Sequence, residues 1–195
     1  KVNKKVTENG KEIDKQVYMR ATPEGSKEVT VRVTDIVRKK SKDAGFDEEN
    51  LTTEERNYNA FKRDVGIDKH QVFQDIHGRF FDDNGVRREA PLSRPDFTNK
   101  EDEEIYDKLE TYFVELMDKF GKDAIFLAEK MIYDPKTDTA GTVDLVIIEA
   151  DGTANIYDWK FGTVSKDAED IAWYKQDAYN VQLGAYKTIL SDVYG

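Results

Sequence analysis

The chain has 195 residues, 38% of them hydrophobic and 36% charged, with a formal net charge of −10 and no cysteine. That length suits one domain with a core of its own, and the lack of cysteine excludes disulfides, thiolate zinc sites and cysteine-held iron–sulfur clusters. No apolar run approaches the ~18 residues that span a bilayer and no signal-peptide pattern opens the chain, so no membrane role is expected. The absence of cysteine fits a reducing setting, cytoplasmic or the interior of a host cell, and the leading Lys1 reads as the start of an excised piece of a larger protein.

The first stretch, residues 1–30, reads as an N-terminal extension or strand pair, with one domain over 31–195. Lys1–Lys15 is polar and expected to fray. Val17–Ala21 and Glu28–Val33 are predicted strands around the turn Thr22-Pro23-Glu24-Gly25. Thr34 or Asp35 is placed to cap a short helix through Ile36 and Val37 into the basic run Arg38-Lys39-Lys40 with Lys42. That run, like Arg87-Arg88 with Arg94, is either a solvated face or a phosphate-contacting patch in an otherwise acidic chain. Lys42–Asn50 reads as loop. Thr52 or Thr53 followed by Glu54 and Glu55 starts a helix reaching about Asp64.

Gly66 to His70, continuing through Val72, Phe73 and Ile76, has helical spacing. His70 and His77 lie seven apart on roughly one face, and His77 reads as structural. Asp82-Asp83-Asn84-Gly85 and two prolines mark Phe80–Asn99 as turn and loop. Lys100–Phe120 is a predicted helix whose stripe of Ile105, Leu109, Tyr112, Phe113, Leu116, Met117 and Phe120 belongs to the core, with acids early and Gly121 after it. Ala124–Tyr133 reads as a strand with Glu129 its one acidic interior residue.

Gly141–Gly162 is the organising segment. Strands over Thr142–Glu149 and Thr153–Phe161 flank Ala150-Asp151-Gly152, a three-residue loop with Gly in the left-handed position. If Glu149 faces Thr153, Asp144 stands opposite Asp158, on the face that also carries Lys160. Neighbouring carboxylates repel, so the arrangement asks for a cation, either a hard divalent ion or Lys160 itself. An exposed face of solvated charges is the other reading. A final helix, about Ala168 to Ser191, carries Lys175, Tyr179, Gln182 and Tyr186 along one side, as an ordinary flank or as a polar wall over the carboxylates.

Taken together, Gly66…His70, Glu129, Gly141…Asp144, Asp158-Trp159-Lys160-Phe161-Gly162 and Gln182-Leu183-Gly184-Ala185-Tyr186 resemble the PD-(D/E)XK nuclease superfamily, in particular its RecB-like exonuclease branch. They correspond to the GxxxH helix, the first-strand acid, the hairpin Asp, the D-x-K strand and the QxxxY helix. Val33-Thr34-Asp35-Ile36 is similar to the segment that often precedes them.

The resemblance implies a restriction-endonuclease-like α/β fold, a central mixed sheet with a three-strand core flanked by helices in αβββα order. It also implies a Mg²⁺- or Mn²⁺-dependent phosphodiesterase acting on nucleic acid, DNA foremost, within a larger recombination, repair or phage protein or complex. By the same resemblance Asp144 and Asp158 are metal ligands, joined by Glu129, His70 and the carbonyl of Trp159. Lys160 positions or deprotonates the attacking water. Gln182 and Tyr186, and with them Tyr179 and Lys175, contact the site or the strand. An RNA endonuclease of cap-snatching type and a non-catalytic binding module are the competing readings. The family core continues with a strand after the QxxxY helix, whereas this sequence stops at Gly195, so that strand is expected to be missing or replaced by an N-terminal one.

Overall fold

The computed structural model describes residues 1–8, 11–43, 52–53, 69–160 and 173–195. In chain order the elements are β1 (Val2–Glu8), β2 (Lys11–Val17), β3 (Met19–Thr22), β4 (Gly25–Glu28), β5 (Val31–Arg32), α1 (Val33–Asp43), α2 (69–80), α3 (Lys100–Phe120), β6 (Ile125–Asp134), β7 (Thr139–Ile148), β8 (Ala154–Tyr157) and α4 (Trp173–Tyr194). The architecture is the expected α/β one. Strand β7 has β6 for a neighbour, pairs in parallel with β5 and antiparallel with β8, and so belongs to a mixed sheet. The expected helix to Asp64, the Gly66 position and the Phe161-Gly162 end of the D-x-K segment lie outside the described residues, Thr52 and Thr53 apart. Among the described residues no helix is long and apolar enough to cross a membrane.

The chain forms two compact units, one of Lys1–Phe46, Met131–Gly141 and Trp173–Gly195, the other of Asp47–Lys130 and Thr142–Ala172. In the first, the segment expected to fray is instead a strand pair. Val2 stands opposite Val17 and Lys5 opposite Asp14, Lys5 Nζ also reaches Glu12 at 3.3 Å, and Val17 is 1% exposed. Cross-strand pairs of opposite charge stabilise such a ladder by a few tenths of a kcal/mol each, about 0.2–1; the many lysines mask the alternation when the sequence is read alone.

The Thr22–Gly25 turn joins β3 to β4 as expected. The strand predicted over Glu28–Val33 divides into β4 and β5, with Val33 already opening α1. Asp35 holds that start, accepting from the Arg32 backbone N–H at 3.2 Å and pairing with its guanidinium at 2.6 Å. Helix α1 packs on α4. There the Tyr186 ring is 2% exposed and lies so close to β7 that a Cβ on Gly141 would come within 2.7 Å of its Cε1 and 2.9 Å of Val33 Cγ2. At the turn before β7, Asp138 adopts φ +51°. Its carboxylate accepts from Thr30 N–H at 3.1 Å and Tyr133 Oη–H at 2.8 Å, with Arg20 Nε 2.8 Å away.

The second unit is built on α3, whose observed span equals the predicted one. Asn99 Oδ1 caps it by accepting from Asp102 N–H at 2.8 Å, and Gly121 N–H closes it on the Met117 carbonyl at 3.0 Å. Three acids in the first turn and Lys119 in the last suit the helix dipole. Phe113, Leu116 and Met117 are buried with Phe73, Ile76, Phe81, Phe126, Leu145 and Ile147. The stripe needs one correction at each edge: Tyr106 is core, and Tyr112 is 40% exposed, set edge-on against the Trp159 ring at 5.8 Å. The Phe80–Asn99 loop is tied down by Asp82 Oδ1, which accepts from the Asn84 and Val86 N–H groups.

Candidate metal centre

The β7–β8 turn sets the geometry. Ile148 pairs with Ala154 and Leu145 with Tyr157, Gly152 sits at φ +89°, and its N–H reaches the Glu149 carbonyl at 2.9 Å. This is the register of a three-residue loop with a left-handed glycine. One step further the same register sets Asp144 beside Asp158. The ladder stops there, and β8 is shorter than predicted, because the next N–H is diverted: Trp159 N–H donates to Asp144 Oδ2 at 2.6 Å. The Trp159 ring is held by stacking on Phe73 at 4.3 Å.

Asp144 is the middle of the cluster. His70, at the start of the described part of α2, places Nδ1 3.6 Å from Asp144 Oδ2. Glu129 comes from β6 with φ +47°, a left-handed conformation that costs an L residue about 1–2 kcal/mol and concentrates at functional sites. His70, Glu129 and Asp144 each offer a ligand atom, and these atoms lie within 4.8 Å of one another. Asp158, expected with Asp144 as a principal ligand, is not one of the converging trio; its charge acts on Asp144 and its carboxylate forms an ion pair with Lys160. Burial first, then the Asp158 and Glu129 charges, push the Asp144 carboxyl up to about 7, against the opposing pull of the Trp159 N–H and Lys160. Oxygen and imidazole donors converging where carboxylates already repel one another fit a divalent cation.

Phe73, Gln74 and Trp159 share a cavity wall with the trio. Gln74 was not singled out in the sequence, although its place one helical turn after His70 is the signal that finds it. His77 lines the same cavity, its Nε2 2.6 Å from the Phe126 carbonyl oxygen. Burial holds its pKa below the usual histidine value, so the neutral ring donates Nε2–H there, in the structural role expected of it. Of the other expected site residues, Tyr179, Gln182 and Tyr186 belong to the other unit. Gln182 Nε2–H donates to Tyr186 Oη at 3.0 Å, Tyr186 is buried, and Tyr179 is half-buried. The Lys175 side chain lies outside the described ones.

No curated protein and no solved structure matches this chain. The family model of the PD-(D/E)XK nuclease superfamily does, over residues 43–195. Nucleases of this superfamily use divalent metal ions, and the match takes in His70, Glu129, Asp144, Asp158 and Lys160 together. With most of its length under that match and an acid-and-imidazole cluster that joins α2 and β6 to Asp144 of the central hairpin, this chain belongs to the PD-(D/E)XK nuclease superfamily.

Proposed function

We propose that the chain is a Mg²⁺- or Mn²⁺-dependent nuclease domain hydrolysing phosphodiester bonds of DNA, of RecB-like exonuclease type, within a larger protein of recombination, repair or phage nucleic-acid processing. The observation that carries this reading is the convergence of His70, Glu129 and Asp144 beside the Asp158–Lys160 pair. His70, Glu129 and Asp144 would hold the cation, with Asp158 and the Trp159 carbonyl as further candidate ligands. Once bound, a divalent ion supplies charge neutralisation for the scissile phosphate.

The remaining work falls to side chains. Lys160 orients a water for attack on phosphorus. As the new P–O bond forms the water gives a proton to solvent; the P–O bond to the sugar breaks and its oxygen takes a proton from solvent. The Lys160 ammonium stabilises the charge gathering on the phosphoryl oxygens. Asp158 fixes the position of that ammonium. The Trp159 N–H keeps Asp144 aimed, and the stack on Phe73 holds the backbone that carries it. Gln182, Tyr179 and Lys175 are the α4 side chains proposed for the substrate strand, while buried Tyr186 holds Gln182 through its hydroxyl; that Gln182–Tyr186 pair favours the exonuclease branch. RNA is the competing substrate, because an imidazole among the ligands also characterises RNA-cutting members of the fold.

Labelled single- and double-stranded DNA and single-stranded RNA, incubated with Mg²⁺ or Mn²⁺, test the proposal. Cleavage should require the metal, favour DNA, and fall about 100-fold or more in Lys160→Ala, with the circular dichroism spectrum unchanged. Preferential cutting of RNA would replace DNA as the substrate. Inertness of the wild-type chain toward all three polymers in Mn²⁺ would point instead to a non-catalytic binding module.

A further inference from the structure

We propose that the outer face of α1 is a docking strip for the sugar-phosphate backbone of a nucleic acid, an inference that rests on the nuclease reading above. Charge is divided unevenly between the units. The one that holds the metal-centre residues carries fifteen Lys and Arg against twenty-nine Asp and Glu, while the other carries fifteen against eleven. A polyanion is repelled by the first and needs its cations from elsewhere.

Helix α1 concentrates them. Arg38, Lys39, Lys40 and Lys42 fall within five residues and all are exposed. At 100° per residue Arg38, Lys42 and Lys39 span an arc of about 100°, while Val33 is buried and the helix packs on α4. Two acids lie on the helix: Asp35 is paired with the Arg32 guanidinium at 2.6 Å and lies 3.9 Å from Arg38, and Asp43 follows Lys42 at the last residue. Guanidinium and ammonium groups on one face match the spacing and charge of consecutive phosphates.

The second basic run is put to another use. Arg88 Nε–H donates to the Gly78 carbonyl at 3.2 Å. Arg94 pairs with Asp107 and lies over the Phe97 and Tyr106 rings at 5.2 and 5.1 Å. Arg88 ties the Phe80–Asn99 loop to α2 and Arg94 ties it to α3, with Arg87 of that run exposed, whereas α1 presents four exposed cations within five residues.

Binding measured without cleavage tests this. The anisotropy of labelled single-stranded DNA, double-stranded DNA and single-stranded RNA is titrated with the full chain in EDTA at several salt concentrations. Arg38→Gln/Lys39→Gln/Lys42→Gln should bind roughly tenfold or more weakly at low salt, and its slope of log affinity against log salt should be shallower by about 2–3. Lys39→Glu alone should move both quantities the same way, and Lys108→Gln, exposed on α3, should move neither. The polymer bound tightest by the wild type identifies the backbone recognised. A triple variant with wild-type affinity and slope overturns the strip while leaving metal-dependent cleavage standing. A wild type that neither binds nor cuts any polymer removes the strip and the nuclease reading together.

Discussion

Asp144 carries two opposed demands. Its carboxyl is driven up to about 7 from 3.8 by burial and by the neighbouring carboxylates, yet Trp159 N–H and His70 hold it where a cation would want it charged. In the metal-free protein the native state therefore takes up this proton more readily than the unfolded chain. The associated stability is fully present below pH 3.8 and is lost as pH rises through about 7. Asp144→Asn keeps an oxygen for the Trp159 N–H and drops the charge. Since one pKa unit corresponds to about 1.4 kcal/mol, the variant should be more stable than wild type at pH 8 by on the order of 1–4 kcal/mol. The gap should close toward pH 4. Urea denaturation in EDTA across that range measures it; a gap that widens at acid pH would show that the group is not held as described. Glu129, bent into a left-handed conformation, is a second sign that this corner is shaped for something other than metal-free stability.

Among the elements, the hairpin was the most legible. A loop of Ala150-Asp151-Gly152 admits one register, and that register sets Asp144 toward Asp158. Helix α3 was legible for a similar reason, since Asn99, the early acids and Gly121 are local signals. What escaped were features decided by tertiary contacts. The β1–β2 pair hides behind lysines that look like a frayed tail, and its order shows only when Lys5 meets Asp14 and Glu12. The short β8 depends on a side chain elsewhere in the chain, because Asp144 takes the N–H that would have continued the ladder. Tyr112 had the spacing of core and ended at the surface against Trp159. In the other unit, close approach of β7 to α4 depends on Gly141. Replacing it with Ala would force a Cβ within 2.7 Å of Tyr186 and 2.9 Å of Val33. Overpacking of this kind costs about 1–3 kcal/mol, so Gly141→Ala should lower the urea midpoint by that equivalent, and an unchanged midpoint would mean that Tyr186 is free to move aside.

At the scale of the molecule, a net charge of −10 is unfavourable for binding a polyanion. Its distribution matters, because the negative charge is concentrated in the unit that holds His70, Glu129 and Asp144. On the proposed reading the acidic cluster there would bind a divalent ion, and the basic side chains of α1 would bind phosphates. The family was legible from an ordered set of residues spread from Gly66 to Tyr186, which no single spacing reveals. The cation itself is the common requirement of every functional step proposed for these residues. Crystals soaked in Mn²⁺ and measured for anomalous scattering test it most directly. A peak coordinated by His70, Glu129 and Asp144, and abolished in Asp144→Asn, is the predicted result; a fully soaked crystal with no peak at these side chains would contradict it.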